Sequence, residues 1–365
     1  MSYLSPLLNR HGAVQAGGLD AGVAAHYGDP NREQRLLAGY NGKPGTAVVD
    51  LSHRGVVTVT GPDRLSWLNT LSSQSLSNLA PKIGTELLLL SIQGRIEFDA
   101  RVVDDGETAW LIVEAEEAAP LAAWLTSMKF MLRVEIADVT ADWAVLGSVV
   151  EVPEWESLLV WTDPWPNIGT GGYSYAAIEE DKHPGLERPW HEYLVPAAQL
   201  ESTVGDRPLA GAWAAEALRI AAWRPRRGAE TDDKTIPHEL DLLRTAVHLA
   251  KGCYKGQETV ARVHNLGHPP RRLVFLQLDG SQHTIPAPGS EVFAGDRKVG
   301  VVTSVAQHYE MGPIALALIK RTVDPEADLT VDDAGEKYVA AQELIVATDA
   351  GQVVGRASGF LRAPR

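Results

Sequence analysis

The sequence predicts an α+β fold in which a mixed body is followed by an antiparallel β-barrel. Up to residue 268, strand-sized and helix-sized apolar segments are mixed without the regular βαβ order of a doubly wound parallel sheet. After Pro269-Pro270, short strands are separated by Gly, Pro and Asp, a pattern typical of a small barrel. We therefore expect a lead-in at 1–46, a body of two subdomains at 47–268 and a barrel at 269–365.

The lead-in is rich in Gly, Ala and Asn and predicts an extended segment with room for one short helix. In the body, a helix is predicted after Asp63, because a cap and an early proline precede three leucines at helical spacing. A second helix is predicted over 115–130. Apolar runs and alternating patterns predict strands at 56–59, 86–92, 96–102, 110–113 and 132–139.

The second half of the body predicts further strands and two more helices, at 197–203 and 208–221. Its predicted strands are 143–150, 157–161, 173–180 and 190–195. The barrel strands are expected at 272–278, 291–294, 299–305, 314–319 and 337–345.

Composition narrows the class of protein. Hydrophobic residues make up 45% of the 365 residues and charged residues 22%, which excludes wholesale disorder. One cysteine cannot form an internal disulfide, and a reducing cytosol fits that usage best. Because no apolar run reaches the length of a membrane span or of a secretory signal, we expect a cytoplasmic protein with no membrane partner.

Charge is distributed unevenly along the chain. The net charge is −14, yet residues 211–275 contain 11 Lys and Arg against seven Asp and Glu. So acidic a chain repels a phosphate backbone, and direct nucleic-acid binding is not expected. An RNA-binding accessory role through the arginines at 224–227 and 271–272 stays open, and it predicts an affinity that falls steeply with salt.

Several common site motifs are absent from the sequence. There is no Walker loop, no Gly-x-Ser-x-Gly elbow and no paired Cys or His set at zinc spacing. His264 and His268 are four residues apart, but Gly267 and the prolines after His268 predict a loop there rather than a helical metal site. We expect no resident metal.

The most informative segment is Lys251-Gly-Cys-Tyr-Lys-Gly-Gln-Glu258. Its Cys253 lies between Lys251 and Lys255, close to a helix predicted to start near Gln257. Two ammonium groups and the positive end of a helix favour the thiolate, which is the reactive form of cysteine. A buried cysteine that packs as a small hydrophobe is an equally weighted alternative.

That segment resembles the signature of the YgfZ folate-binding proteins, which are relatives of the glycine-cleavage T-protein, an aminomethyltransferase. The resemblance extends to Lys234-Thr-Ile-Pro-His-Glu-Leu, to Asp50-Leu-Ser-His53 and to Val299-Gly-Val-Val-Thr-Ser304. It covers most of the chain from about residue 47 onward and implies a T-protein-like fold.

The resemblance implies a pocket for tetrahydrofolate or a folate derivative. In Trp190-His-Glu192-Tyr193-Leu-Val-Pro196, Glu192 matches the family's folate-binding glutamate, and a carboxylate can accept paired hydrogen bonds from a pterin. Trp190 or Tyr193 would add stacking area, and Tyr254 is a further candidate for contact with the cofactor. Arg219 would meet the carboxylates of folate. The alternative for Glu192 is the wet face of a strand. Ala215 stands where the family has a further arginine, and Arg224, Arg226 and Arg227 are candidates to replace it; the alternatives for these three are a separate anion patch or a solvated basic loop.

The family is implicated in building or repairing iron–sulfur clusters, with effects on enzymes that modify tRNA. On this resemblance Cys253 is the functional thiol, while Lys251, Gln257 and Glu258 position it or bind a partner. The expected partners are folate and iron–sulfur enzymes or assembly factors.

A folate-dependent one-carbon transferase of the aminomethyltransferase type is the alternative function, so whether the chain is an enzyme stays open. The T-protein carries an aspartate pair in Gly-x-Ile-Asp-Asp, whereas this chain reads Gly94-Arg-Ile-Glu-Phe-Asp99. Phe98 replaces the second aspartate, and Asp99, one residue further on, is expected on the other face of the strand. This departure speaks against the glycine-cleavage reaction.

Overall fold

The computed structural model describes residues 3–281 and 284–353. Residues 1–2 of the expected lead-in, and residues 282–283 and 354–365 of the expected barrel region, lie outside the described residues. In the described ranges, no helix has the combination of length and apolar character needed to cross a bilayer.

The helices are α1 (Pro30–Ala38), α2 (Arg64–Leu71), α3 (Ala118–Met128), α4 (Leu200–Val204), α5 (Ala212–Ala221) and α6 (Gln257–Leu266). The strands before α5 are β1 (Val14–Gln15), β2 (Ala24–His26), β3 (Val48–Asp50), β4 (Gly55–Thr60), β5 (Gly84–Leu90), β6 (Ile96–Asp104), β7 (Thr108–Val113), β8 (Glu135–Asp138), β9 (Trp143–Ser148), β10 (Leu159–Thr162), β11 (His191–Pro196) and β12 (Leu209–Ala210). The strands after it are β13 (Arg271–Leu278), β14 (Glu291–Ala294), β15 (Arg297–His308), β16 (Gly312–Lys320), β17 (Leu329–Asp333) and β18 (Glu336–Leu344).

Two five-stranded sheets form the body. The first has the order β5-β6-β7-β4-β8 and is wholly antiparallel, and α2 and α3 cover one of its faces. The second has the order β10-β11-β9-β3-β12, with β12 parallel to β3. Val56 and Ile112 of the first sheet share a core with Trp161 and Leu194 of the second. The sheets therefore pack against each other, and polar side chains of β6 and β11 face the same interior.

The lead-in supplies the short helix that the sequence predicts. Pro30 occupies the first turn of α1, and the Asp29 carboxylate accepts a hydrogen bond of 3.0 Å from the Arg32 N–H. The Gln34 side chain donates to the Gln307 carbonyl at 2.9 Å and accepts from the Tyr309 N–H at 3.0 Å. These bonds fix the lead-in to the barrel.

The barrel is closed, antiparallel and six-stranded, in the order β13-β16-β15-β14-β17-β18. It confirms the predicted fold class, and five of its strands overlap the predicted ones. β17 was not predicted, because Asp328, Asp332 and Asp333 in and beside it resemble turn residues. Its pairing with β14 on one side and β18 on the other closes the barrel.

Two local predictions are wrong. The segment 173–180 is not a strand, apart from a single bridge between Ala176 and Val346, because Tyr175 anchors it in a core instead. The Tyr175 N–H donates to the Asp241 carboxylate, and the Ala347 N–H donates to the Tyr175 carbonyl. His264 lies within α6 rather than in a loop.

Candidate functional site

Lys251 fixes the loop that carries the cysteine. Its Nζ donates to the backbone carbonyls of Asn69, Ser72 and Gln74, at 2.5, 2.8 and 2.5 Å. Two of these carbonyls belong to the last turn and C-cap of α2, where carbonyl groups lack helical partners and favour a cation. Burial lowers the pKa of Lys251 to about 8, while the three carbonyls hold its protonated form in place.

Tyr254, Gly256 and Gln257 of the same motif also stabilise the loop. Tyr254 is buried, and the Lys251 Nζ lies 5.4 Å from the centre of its ring. The Gln257 side chain donates to the Lys251 carbonyl at 3.1 Å. Gly256 has a φ of +86°, and a Cβ there would lie 2.5 Å from the Ser91 carbonyl oxygen, so this position requires glycine.

Cys253 is exposed at the surface of this fixed loop. The alternative of a buried, packing cysteine is therefore wrong. The two neighbouring ammonium groups have other partners, because the carbonyls hold Lys251 and the Lys255 Nζ lies 3.0 Å from the Glu97 carboxylate. Glu258 is exposed in the first turn of α6, which starts at Gln257 as predicted. The motif thus presents a thiol to whatever approaches from solvent.

Glu192 lies inside the body, not on a wet strand face. Only 2% of it is exposed, and its Oε1 accepts from Trp190 Nε1 at 3.0 Å and lies 3.5 Å from Arg101 Nε. Within the part of the chain that the structure describes, its Oε2 has no hydrogen-bond partner. Tyr193 points to the other side of β11, where its hydroxyl accepts from the Val152 N–H at 3.0 Å. The structure therefore brings Trp190 and Glu192 together and keeps Tyr193 apart from them.

A buried network of arginines and carboxylates surrounds Glu192. Arg219, the predicted partner of the folate tail, donates to Glu216, Glu230 and Ser304 at 2.7–3.1 Å. The other members are also nearly all buried: Arg54, Arg101, Arg188, Arg224, Arg226, Asp20, Glu86, Asp99, Glu114 and Asp163. A buried charge must be paired, and these guanidinium groups are held mainly by this chain's own acids.

The basic segment that follows α5 is likewise internal. Arg224 pairs with Glu86 at 2.7 Å, and Arg226 pairs with Asp20 at 2.9 Å, so neither forms a solvated loop or a free anion patch. Arg227 pairs with Glu117 at 2.7 Å. Among the later arginines, Arg271 pairs with acids of the body, and Arg272 is fully buried. These guanidinium groups offer no basic surface of the kind that RNA binding needs.

Asp99 belongs to the same network. It follows the side of β6 that carries Arg101, and it interacts electrostatically with Glu86, Arg224 and Arg101. Burial, and then the neighbouring charge of Glu86, raise the pKa of Asp99 well above its usual value. Asp99 therefore lies in the interior that holds Glu192, while Phe98 packs on the other face of β6 against the core beneath α2 and α3.

Two of the cavities that adjoin the network bear on the expected folate site. The cavity at Glu192 has a volume of about 40 Å³, which is room for about one water molecule and too little for a pterin ring. A second cavity of about 850 Å³ lies between the lead-in, α5, residues 226–232 and β15. Asp20, Glu216 and Arg226 line both and form the wall between them. No residue of 251–258 lines either cavity, so the structure does not bring the thiol and the expected folate pocket together.

A metal centre is not visible in the described ranges. No three His, Cys, Asp or Glu side chains there are grouped as ligands would be. The nearest sequence candidates serve the core instead, since His264 Nδ1 lies 2.9 Å from the Tyr175 hydroxyl and His268 Nδ1 lies 2.6 Å from the Ala350 carbonyl oxygen.

Two packed sheets with a central charged interior, followed by a closed barrel, define the class of the T-protein fold. Residues 43–149 match the model of the GCVT N-terminal domain, and residues 271–346 match that of the glycine cleavage T-protein C-terminal barrel domain. Together the two models match half of the chain. The chain belongs to the family of the glycine cleavage T-protein and its relatives.

Similar proteins agree with this family. Aminomethyltransferase T of the glycine cleavage system from Bartonella henselae superposes with a TM-score of 0.70 at 17% identity, covering 93% of this chain and 94% of that chain. The mitochondrial iron-sulfur cluster assembly factor IBA57 homolog of Aspergillus oryzae is 24% identical, with 85% of this chain and 77% of that protein covered. An aminomethyltransferase of Rubrobacter xylanophilus is 29% identical, with 74% and 75% covered.

Proposed function

We propose that this chain is a folate-binding protein of the YgfZ type that supports the assembly or repair of iron–sulfur clusters, and that Cys253 is its functional thiol. The observation that carries the proposal is the exposure of that thiol on a loop fixed by Lys251, Tyr254 and Gln257. A relative named as an iron–sulfur cluster assembly factor supports the same role.

The chemistry of a single cysteine limits how it takes part. A conventional cluster needs about four protein ligands, so one thiol can hold iron or a cluster only transiently or together with a partner's ligands. Lys251 and Gln257 act as positioning residues for the loop, and Glu258, exposed in the first turn of α6, is a contact for that partner. In this proposal the chain acts in the cytoplasm, and the iron–sulfur proteins that it supports include enzymes that modify tRNA.

Replacement of the thiol tests this function. In cells that lack the gene, we expect a Cys253→Ala or Cys253→Ser chain to leave iron–sulfur enzyme activity at the level of the deletion, because neither side chain supplies a thiolate. Cys253 is exposed, so both variants keep the wild-type amount of folded chain, which immunoblotting and thermal unfolding verify. Full recovery of activity with Cys253→Ala would remove the thiol from the mechanism.

Folate binding is the second part of the proposal. The free Oε2 of Glu192 is chemically suited to the N–H groups of a pterin, but the cavity around it lacks the space for the ring. A tetrahydrofolate at Glu192 would therefore require Arg101 or Arg188 to move. The large cavity beside it has the volume of a cofactor site without any such movement.

A folate-dependent one-carbon transferase is the alternative function, and Asp99 favours it. A carboxyl group whose pKa is raised by burial and by a neighbouring carboxylate keeps its proton to a higher pH, and it can donate that proton or a hydrogen bond to a reacting amine. The aminomethyltransferases among the relatives support this reading. Turnover of a methylamine donor by the purified chain with tetrahydrofolate, lost in Asp99→Asn, would establish it.

A further inference from the structure

We infer that the folate of this chain lies in the 850 Å³ cavity, with its planar ring system stacked on Trp213, and not at Glu192. The inference rests on the proposed folate binding and names the place and the contact surface of that ligand. The supporting observation is a set of large apolar side chains that stay exposed and line this one cavity.

Three exposed apolar side chains from three separate segments converge on this one cavity. Leu19 of the lead-in, Trp213 of α5 and Ile285 of the barrel are 36%, 54% and 41% exposed, and all three line it. Large apolar side chains left accessible in one concave site mark a place where a ligand is bound. A cavity of about 850 Å³ falls in the range of cofactor sites.

Trp213 provides the flat surface. Its neighbours Ala212, Ala214 and Ala215 are buried, so the indole is the exposed apolar side chain that this turn of α5 presents to the cavity. The centre of the His26 ring lies 5.2 Å from that of the indole and supports it from the lead-in. An indole held in this way offers stacking area to a heteroaromatic ring.

Polar groups in the same lining suit the two ends of an elongated folate. Asp20 and Glu216 belong to the wall shared with the Glu192 cavity, and carboxylates accept hydrogen bonds from the amino group and ring N–H of a pterin. Arg271 also lies in the lining; Asp232 and Glu239 hold its guanidinium, which is one-quarter exposed and faces the cavity as the cation for the folate carboxylates.

The lead-in acquires a role from this arrangement. Leu19, Asp20 and Gln34 form one wall of the cavity, and Gln34 is fixed to the barrel through its bonds to Gln307 and Tyr309. The wall is therefore a built part of the fold and requires no closure of a lid. The site is complete only when lead-in, α5 and barrel are all present.

Calorimetric titration of 5-formyltetrahydrofolate into the full chain tests the inference. We expect Trp213→Ala to raise the Kd about tenfold or more, because stacking on the indole is lost. Trp213→Phe, which keeps an aromatic surface, should remain within about threefold of the wild type. Glu192→Gln should leave the Kd within about twofold. Since Trp213 is more than half exposed, thermal unfolding of its variants should match that of the wild type.

Two results would overturn it, and they differ from each other. If the Kd is unchanged in Trp213→Ala and Glu192→Gln no longer binds, the ligand lies at Glu192 and not on Trp213. That result overturns the inference but not the proposed folate binding. No binding by the wild type overturns the proposed folate binding itself, and the inference with it.

Discussion

Lys251 illustrates how much one side chain can contribute to the shape of a site. An ammonium group has three N–H donors, and here all three meet backbone carbonyl oxygens within 2.8 Å. The side chain thereby joins two segments of the body that are about 180 residues apart in sequence. These bonds thereby fix the position of Cys253, two residues further along the same loop.

Removal of that ammonium should unfold the chain more easily. We expect Lys251→Met to lower the free energy of unfolding by about 2–4 kcal/mol, because three partly buried carbonyls lose a charged donor. Lys251→Arg should restore little of it, since a planar guanidinium does not match three converging acceptors. Urea unfolding measures both.

The matched control is Lys255→Met, which breaks only the exposed pair with Glu97 and should cost at most about 0.5 kcal/mol. If Lys251→Met and Lys255→Met lower the free energy of unfolding equally, the three carbonyls around Lys251 contribute nothing beyond an exposed ion pair.

At the same scale, the sequence could indicate which residues matter but not what they contact. A lone cysteine between two lysines is visible in the sequence, and so is a run of arginines after α5. The partners of those cations, such as Asn69 for Lys251 or Asp20 for Arg226, lie far away in the chain and leave no local pattern. The raised pKa of Asp99 could not be predicted for the same reason, because it depends on Glu86 across a strand pair.

At the scale of the element, the loop before α6 contains two glycines, Gly252 and Gly256, and only Gly256 has a backbone conformation that requires glycine. Gly256→Ala is expected to lower the free energy of unfolding by about 2 kcal/mol or more, since its φ is +86° and the new Cβ would meet the Ser91 carbonyl at 2.5 Å. Gly252→Ala in the same loop is the control, because a Cβ there has no atom within 4 Å. Its stability should stay within about 0.5 kcal/mol of the wild type, as chemical denaturation can measure. If both alanines cost the same, the turn is not what requires Gly256.

Secondary structure was largely predictable wherever burial is periodic. Alternating residues of β6 and apolar runs such as β5 reveal which face is inward, so those strands were found. β17 was missed because its aspartates suit a turn, and only pairing with two barrel neighbours makes it a strand. The segment 173–180 was wrongly predicted as a strand, since Tyr175 is buried by a core and not by a sheet, with Tyr173 half-buried against the same core.

At the scale of the whole molecule, body and barrel are joined by buried polar contacts as well as by chain connectivity. Glu230, which is 1% exposed, binds Arg219 of α5 and the hydroxyls of Thr303 and Ser304 in β15. The large cavity forms beside this junction. No single segment could predict it, because its walls come from the lead-in, α5, a loop and the barrel.

The free energy of unfolding of the whole chain should depend on pH through one buried histidine, His238. His238 is fully buried, and its Nε2 lies 3.0 Å from the Val260 carbonyl of α6. Burial lowers the pKa of His238 to about 3, while an unfolded chain takes up this proton near pH 6.5. The folded state therefore binds fewer protons than the unfolded state between these values, and stability that is present above pH 6.5 is lost as the pH falls.

The size of this loss follows from the same two values. Between pH 7 and pH 5, protonation of the unfolded imidazole costs the folded state about 2 kcal/mol. His238→Gln retains a donor for the Val260 carbonyl but removes the titrating group, so its unfolding free energy should fall by about 2 kcal/mol less than that of the wild type over this interval. Urea unfolding of both chains at the two pH values provides the comparison. An identical loss in the variant would mean that the imidazole is already accessible to protons in the folded state, and that the packing of α6 against residues 237–240 is looser than the structure has it.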